Sequence, residues 1–157
     1  QSKEVFSIIG YAANRKGQPV LMADLGTVVH EFNHSFIKIE GDTKNALAKS
    51  GKTIKSYSAF CMKQQAYDSW QTILEESLVR AAEKCYFIEH GDGKVDKGIR
   101  NEMNHGFFWM PELVQTLRYY ESHRKKYPTF TSFYPEIIRF FDRYVADVEK
   151  EIQKALK

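Results

Sequence analysis

Residues 27 to 36 read TVVHEFNHSF, which sets His30 and His34 four apart with Glu31 directly after the first histidine. On an α-helix, residues four apart are offset by only ~40° round the axis and ~6 Å along it. Both imidazoles then leave one face and can reach a single tetrahedral zinc ion at ~2.0–2.1 Å. Glu31 follows His30 by ~100°, so its carboxylate can reach the open side of such a metal. Zinc acidifies the water bound there and the carboxylate takes its proton. The HExxH spacing therefore has a mechanical reason. With 5 His and 13 Glu in the chain, composition alone would produce it in on the order of one chain in a hundred. The flanks are uncharged: Thr27, Val28 and Val29 before, Phe32 and Asn33 inside, Ser35 and Phe36 after. A helix that carries a metal in a domain interior requires this, because unpaired charge is costly there. The bland alternative is two histidines that merely share a helix face.

Zinc needs a third protein ligand. No histidine follows His34 at close spacing, and the next is His90. The ligand is therefore expected from a later helix, and a carboxylate is the obvious type. EESLVRA, residues 75 to 81, lies in the middle of a long apolar segment. Glu75, Glu76 and Arg80 need partners if that segment is buried. A zinc ion is one such partner. Glu76 and Arg80 are also an i,i+4 pair that can satisfy each other. Helical periodicity does not choose between Glu75 and Glu76, since both flank the main apolar stripe.

The elements that must hold these groups are largely helical. Residues 4 to 23 read as a β-hairpin: EVFSIIGYA is rich in strand formers, NRKGQ is a turn, and PVLMA resumes the strand. Gly10 marks a bulge or bend. Leu25, Val28, Val29, Phe32, Phe36 and Ile37 have helical spacing, with Asp24 as N-cap. The polar stretch EGDTKNALAKSGKTIKSYS is expected to be a loop with a short helix. Residues 62 to 90 are expected to form one long buried helix with Tyr67, Trp70, Leu74, Leu78, Ala81 and Cys85 as its stripe. Cys61 and Cys85 then lie near its opposite ends, roughly 35 Å apart, and are expected to be free, mostly buried thiols. GDGKVDKG reads as a turn without the ligand set of a calcium loop. Helices are expected over GFFWMPELVQTLRYYESHRKKY, with Pro111 tolerable in the first turn, and over YPEIIRFFDRYVADVEKEIQKALK.

The chain has 157 residues, 43% of them hydrophobic and 14% aromatic, enough for one domain with its own core. A net charge of +3 with interspersed signs is not a nucleic-acid footprint. HRKK at 123 to 126 is short enough to be a solvated helix end. No apolar run approaches the ~18 residues of a membrane span. The chain opens at Gln1 without a signal peptide. It is expected to be a piece of a longer protein or a processed form, with residues 1 to 157 as a single domain and any targeting segment outside it.

HExxH followed by a glutamate from a later helix is similar to the gluzincin arrangement of zinc metallopeptidases, the class containing thermolysin. More narrowly, VVHEFNHSF, QAYDSW, EESLVRA, GFFWMPELVQTLRYYESHR and YPTFTSFYPEII resemble an uncharacterised bacterial family, a domain of unknown function regarded as gluzincin peptidases. The resemblance spans roughly residues 25 to 141, with Asn33 standing where the family reads Ser. It implies a zincin-like fold, hence an α+β class: mainly α with a small N-terminal hairpin or sheet. It implies His30, His34 and Glu76 as zinc ligands and Glu31 as the base. Gluzincins commonly use a His or Tyr to stabilise the transition state, which makes His105, Tyr119 and Tyr120 candidates, with Arg80, one turn from the ligand glutamate, as a further one. It also implies that the chain is the C-terminal catalytic part of a longer protein, and that this protein is exported from the cell.

The expected function is a zinc-dependent hydrolase, foremost a metallopeptidase acting on a peptide or protein. Such a substrate could lie extended along the N-terminal hairpin. A zinc amidase or deacylase on cell-wall or other non-protein amides shares the chemistry. A non-catalytic zinc module is the third reading, and retention of Glu31 argues against it. Nucleic acid and membrane-spanning roles are not expected, and the sequence leaves the oligomeric state open.

Overall fold

A computed structural model describes residues 11–14, 16–21 and 24–156. Its order is β1 (Tyr11–Ala13), β2 (Pro19–Leu21), α1 (Leu25–Asn33), α2 (Gly41–Gln64), α3 (Trp70–Glu89), α4 (Val95–Asn104), α5 (Met110–Ser122) and α6 (Phe130–Ala155). The body is all-helical, and the expected α+β, zincin-like class is corrected. β1 and β2 pair antiparallel over three residues each, too short to form a layer. Among the described residues they contact only each other, and α1 packs only on α3. Among the described residues no strand contacts α1, so this part of the hairpin offers no edge there for an extended peptide. The rest of the expected hairpin, Glu4 to Gly10 and Met22 to Ala23, lies outside the described residues.

α3 is the central element. It touches α1, α2, α4 and α5, while α6 closes the body against α2 and α5. Ile73, Leu74, Leu78, Val79 and Ala81 of α3 are fully enclosed. They pack with Leu47 and Ile54 of α2, Leu113 of α5 and Phe133 and Phe141 of α6 in one core. The indole N–H of Trp109 is satisfied inside this core by donating to Ser77 Oγ at 2.9 Å.

Three expected elements differ most. The stretch read as a loop is α2, a 24-residue helix whose inner face is Leu47, Ser50, Gly51, Ile54, Ser58 and Met62. Small residues on that face let α3 approach closely: a Cβ on Gly51 would lie 2.4 Å from the Trp70 ring. The single helix expected over 62 to 90 is broken at 65–69, because Ala66 takes a left-handed conformation at φ 59° and Ser69 caps α3 through Thr72 N–H at 2.9 Å. Cys61 therefore belongs to α2 and Cys85 to α3; both thiols are free, with Cys61 half-buried and Cys85 buried. Burial pushes the Cys85 thiol up to about 12. The second half of GDGKVDKG opens α4 rather than extending a turn. No helix among the described residues is long and apolar enough to cross a membrane.

Candidate metal centre

α1 begins where Asp24 accepts the Thr27 N–H at 3.0 Å. That contact, a hydrogen bond from the backbone, holds the Asp24 carboxyl below its ordinary value. The helix runs only to Asn33, with His34 as C-cap. The segment that follows is pinned to α3 and α6. Glu75 Oε1 accepts the Ile39 N–H at 2.8 Å and Gln71 Nε2 at 3.2 Å. Tyr134 donates to Lys38 O at 2.5 Å and accepts the Lys38 N–H at 3.2 Å. Burial pushes the Tyr134 phenol up to about 12, so it keeps that proton at neutral pH. α1 is thus capped at its start and tethered through the segment at its end, with its histidine face turned towards α3.

His30, His34 and Glu76 meet there. The two Nε2 atoms are 3.3 Å apart. His34 Nε2 lies 3.3 Å from Glu76 Oε1, and His30 Nε2 lies 3.6 Å from Glu76 Oε2. Ligands ~2.0–2.1 Å from a tetrahedral metal are separated by about 3.3 Å along each edge; the two imidazoles and Glu76, which offers a different oxygen to each, stand close enough together to be able to share one metal ion. Glu76, rather than Glu75, is the carboxylate on this side of α3; Glu75 is occupied by the 35–40 segment.

The surroundings form a closed circuit of charges. Tyr67 donates to Glu76 Oε2 at 3.0 Å and accepts from Arg80 at 3.0 Å. Arg80 binds Glu102 Oε2 at 2.9 Å, and Lys84 lies 3.2 Å from Glu102 Oε1 and 3.0 Å from Glu83 Oε1. Glu83 Oε2 faces His30 Nδ1 at 3.5 Å. Burial raises the Tyr67 phenol against the opposing Arg80 charge, so its proton stays available to Glu76. Burial works against the Arg80 charge, but Glu102, Tyr67 and Glu76 outweigh it and lift the guanidinium above its ordinary value. For Glu83 burial acts upward, yet the His30 contact and Lys84 win and hold the carboxyl low.

The charge balance fits a cation. Three carboxylates, Glu76, Glu83 and Glu102, face two cations, Arg80 and Lys84, which leaves one negative charge beside two imidazoles. The side chains of Glu76 and Glu102 are only 12% and 6% exposed, so this excess is poorly solvated. Arg80 Nε is buried without a hydrogen-bond partner, 3.5 Å from Glu76 Oε2. A divalent ion between the imidazoles and Glu76 would compensate that excess.

The other sequence-derived residues are placed as follows. Glu31 is exposed and makes no hydrogen bond or ion pair among the described residues. Arg80 stands one turn from Glu76 and touches it. His105 caps α4, with its carbonyl accepting from Gln65 at 2.7 Å. Tyr119 packs on the rings of His123 and Tyr127. Tyr120 is buried against Phe130 and Phe133 and walls a cleft of about 780 Å³ that also includes Val28, Phe32 and Cys85 but no triad residue. No hydrogen bond or ion pair joins His105, Tyr119 or Tyr120 to the triad, whereas Tyr67 is bonded to it directly. Glu83, Lys84 and Glu102 carry no role in the sequence reading, which places Tyr67 only in the stripe of a buried helix. The only sequence signal was the seven-residue spacing of Glu76 and Glu83, two helical turns on one face of α3.

No curated protein and no solved structure matches the chain. Residues 7–140 match the domain of unknown function DUF4932, and the chain belongs to that family.

Proposed function

We propose that the chain is a zinc-dependent hydrolase of amide bonds, foremost a metallopeptidase, with the gluzincin ligand set His30, His34 and Glu76 carried on an all-helical body. The observation that supports this reading is the convergence of two imidazole Nε2 atoms and the Glu76 carboxylate within 3.3 to 3.6 Å of one another in a cluster one negative charge in excess. When bound, zinc supplies a Lewis acid for the scissile carbonyl and lowers the pKa of the attacking water. Glu31, one residue past His30 and unengaged, is the carboxylate that takes the proton from that water and passes it to the leaving amine. Tyr67 and Arg80 hold Glu76 in place through its Oε2 oxygen. Retention of an unpaired Glu31 favours an enzyme over a purely structural metal module, which has no use for a base.

The test is turnover on a panel of unrelated amides: a peptide library, muropeptides and N-acyl amino acids. Zinc-loaded protein is expected to cleave peptides, to stop on chelation and to recover with one equivalent of zinc. Cleavage confined to muropeptides or acyl amides would move the assignment to an amidase or deacylase. Zinc binding without turnover on any amide would leave a binding module.

A further inference from the structure

We propose that Glu83 is the positioning residue of the site: its carboxylate holds the proton of His30 on Nδ1 and thereby leaves Nε2 bare towards His34 and Glu76. The inference rests on the zinc reading for its purpose, but not for its geometry. A neutral imidazole carries one proton, and the nitrogen that keeps it is set by the partner of that nitrogen. His30 Nδ1 faces Glu83 Oε2 at 3.5 Å, its one charged partner among the described residues. Nε2 faces Glu76 Oε2 at 3.6 Å, but that oxygen already accepts the Tyr67 O–H at 3.0 Å, whereas Glu83 Oε2 has no other partner among the described residues. A carboxylate only accepts hydrogen bonds, so the proton belongs on Nδ1. Nε2, 3.3 Å from His34 Nε2, is then the lone-pair nitrogen, and in the metal-free protein the His34 N–H donates.

The two histidines are unequal in this respect. His34 Nδ1 has no charged partner among the described residues, and its side chain is 36% exposed against 17% for His30. His30 is set in advance as a ligand, and His34 must shift its proton when metal enters.

The rest of the circuit explains why Glu83 can be spared for this task. Its other oxygen is engaged by Lys84 at 3.0 Å, which fixes the carboxylate plane. Lys84 is in turn tied to Glu102, and Glu102 to Arg80, which reaches Glu76 directly and through Tyr67. Lys84 and Glu102 are 8% and 5% exposed, and burying such a pair is hard to justify as a stability device, since apolar residues of similar volume often do as well or better. As a brace it has a use. One helix, α3, supplies the ligand Glu76 and, two turns on, the group that orients the ligand from α1. Outer partners of this kind typically change metal affinity ~10 to 100-fold.

The experiment is long-range proton–nitrogen NMR on uniformly 15N-labelled protein, which reads the tautomer of each histidine ring directly. It is run first without metal, so it does not depend on zinc. The wild type is expected to show His30 protonated on Nδ1 and His34 on Nε2. E83A should release His30 to the Nε2–H form or to a mixture, whereas E83Q, whose amide oxygen still accepts, should keep the Nδ1–H form. Competition with a chromophoric chelator should then show zinc bound ~10 to 100-fold more weakly by E83A, with circular dichroism unchanged. Wild-type His30 carrying its proton on Nε2 would overturn the inference whether or not any variant folds, as would a tautomer unmoved in E83A. If the tautomer responds as expected and the wild type binds no zinc, the orienting role of Glu83 stands and the metal reading fails.

Discussion

Glu76→Ala is expected to lose zinc under dialysis against a weak chelator, while Glu75→Ala keeps one equivalent. The two glutamates are ~100° apart on α3, and the fold uses each for a different purpose. Glu76 faces His30 and His34 at 3.6 and 3.3 Å. Removing it takes one of three ligands and the uncompensated negative charge, so affinity should fall by orders of magnitude. The rise in melting temperature on adding zinc should vanish with it, because that rise reports binding to the folded state alone. Glu75 instead accepts the backbone N–H of Ile39, a residue with no solvent exposure. Glu75→Ala leaves that donor unpaired and should destabilise the protein by about 1–3 kcal/mol, with zinc content unchanged. The opposite pattern, zinc lost from Glu75→Ala and kept by Glu76→Ala, would reverse the ligand assignment.

Glu31→Gln is expected to leave zinc at one equivalent and stability within about 0.5 kcal/mol of wild type, while turnover falls roughly 10² to 10⁴-fold. Stability should not change because the Glu31 side chain is exposed and has no partner among the described residues. Turnover should change because an amide keeps the shape but is a very poor base. Loss of zinc from Glu31→Gln would make Glu31 a ligand or an anchor. Undiminished turnover would place the base elsewhere.

The histidine pair could be read from sequence because its geometry is local: a four-residue spacing on a helix fixes two side chains whatever the rest of the chain does. The Asp24 cap was legible for the same reason. The choice of Glu76 over Glu75 needed tertiary structure, or the family resemblance, because both flank the same apolar stripe and only the neighbours of α3 distinguish them. α2 escaped notice because its inner face includes Ser50, Gly51 and Ser58, which carry little hydrophobic signal although they pack tightly. The break before α3 rests on Ala66 in a left-handed conformation, which no glycine or proline announces. That break brings Tyr67 onto Glu76. Glu102 reaches the site from α4, part of a segment whose Gly and Asp content read as a turn. The transition-state candidates failed to gather for a related reason: His105, Tyr119 and Tyr120 were chosen by residue type, and type does not fix distance. The α+β expectation came partly from the hairpin read over residues 4 to 23, of which the described part forms only the three-residue pair β1–β2, and partly from the zincin resemblance, whereas the helices assemble a core to which that pair adds nothing.

The central claim is that two imidazoles and one carboxylate of this chain hold one zinc ion. The most direct measurement is X-ray absorption at the zinc edge on protein reconstituted with one equivalent. The account predicts two imidazole nitrogens and carboxylate or water oxygen at ~2.0–2.2 Å, in four-coordinate geometry, with no sulfur shell. A sulfur neighbour at ~2.3 Å, a shell with fewer than two imidazoles, or a protein that retains no zinc after desalting would contradict it.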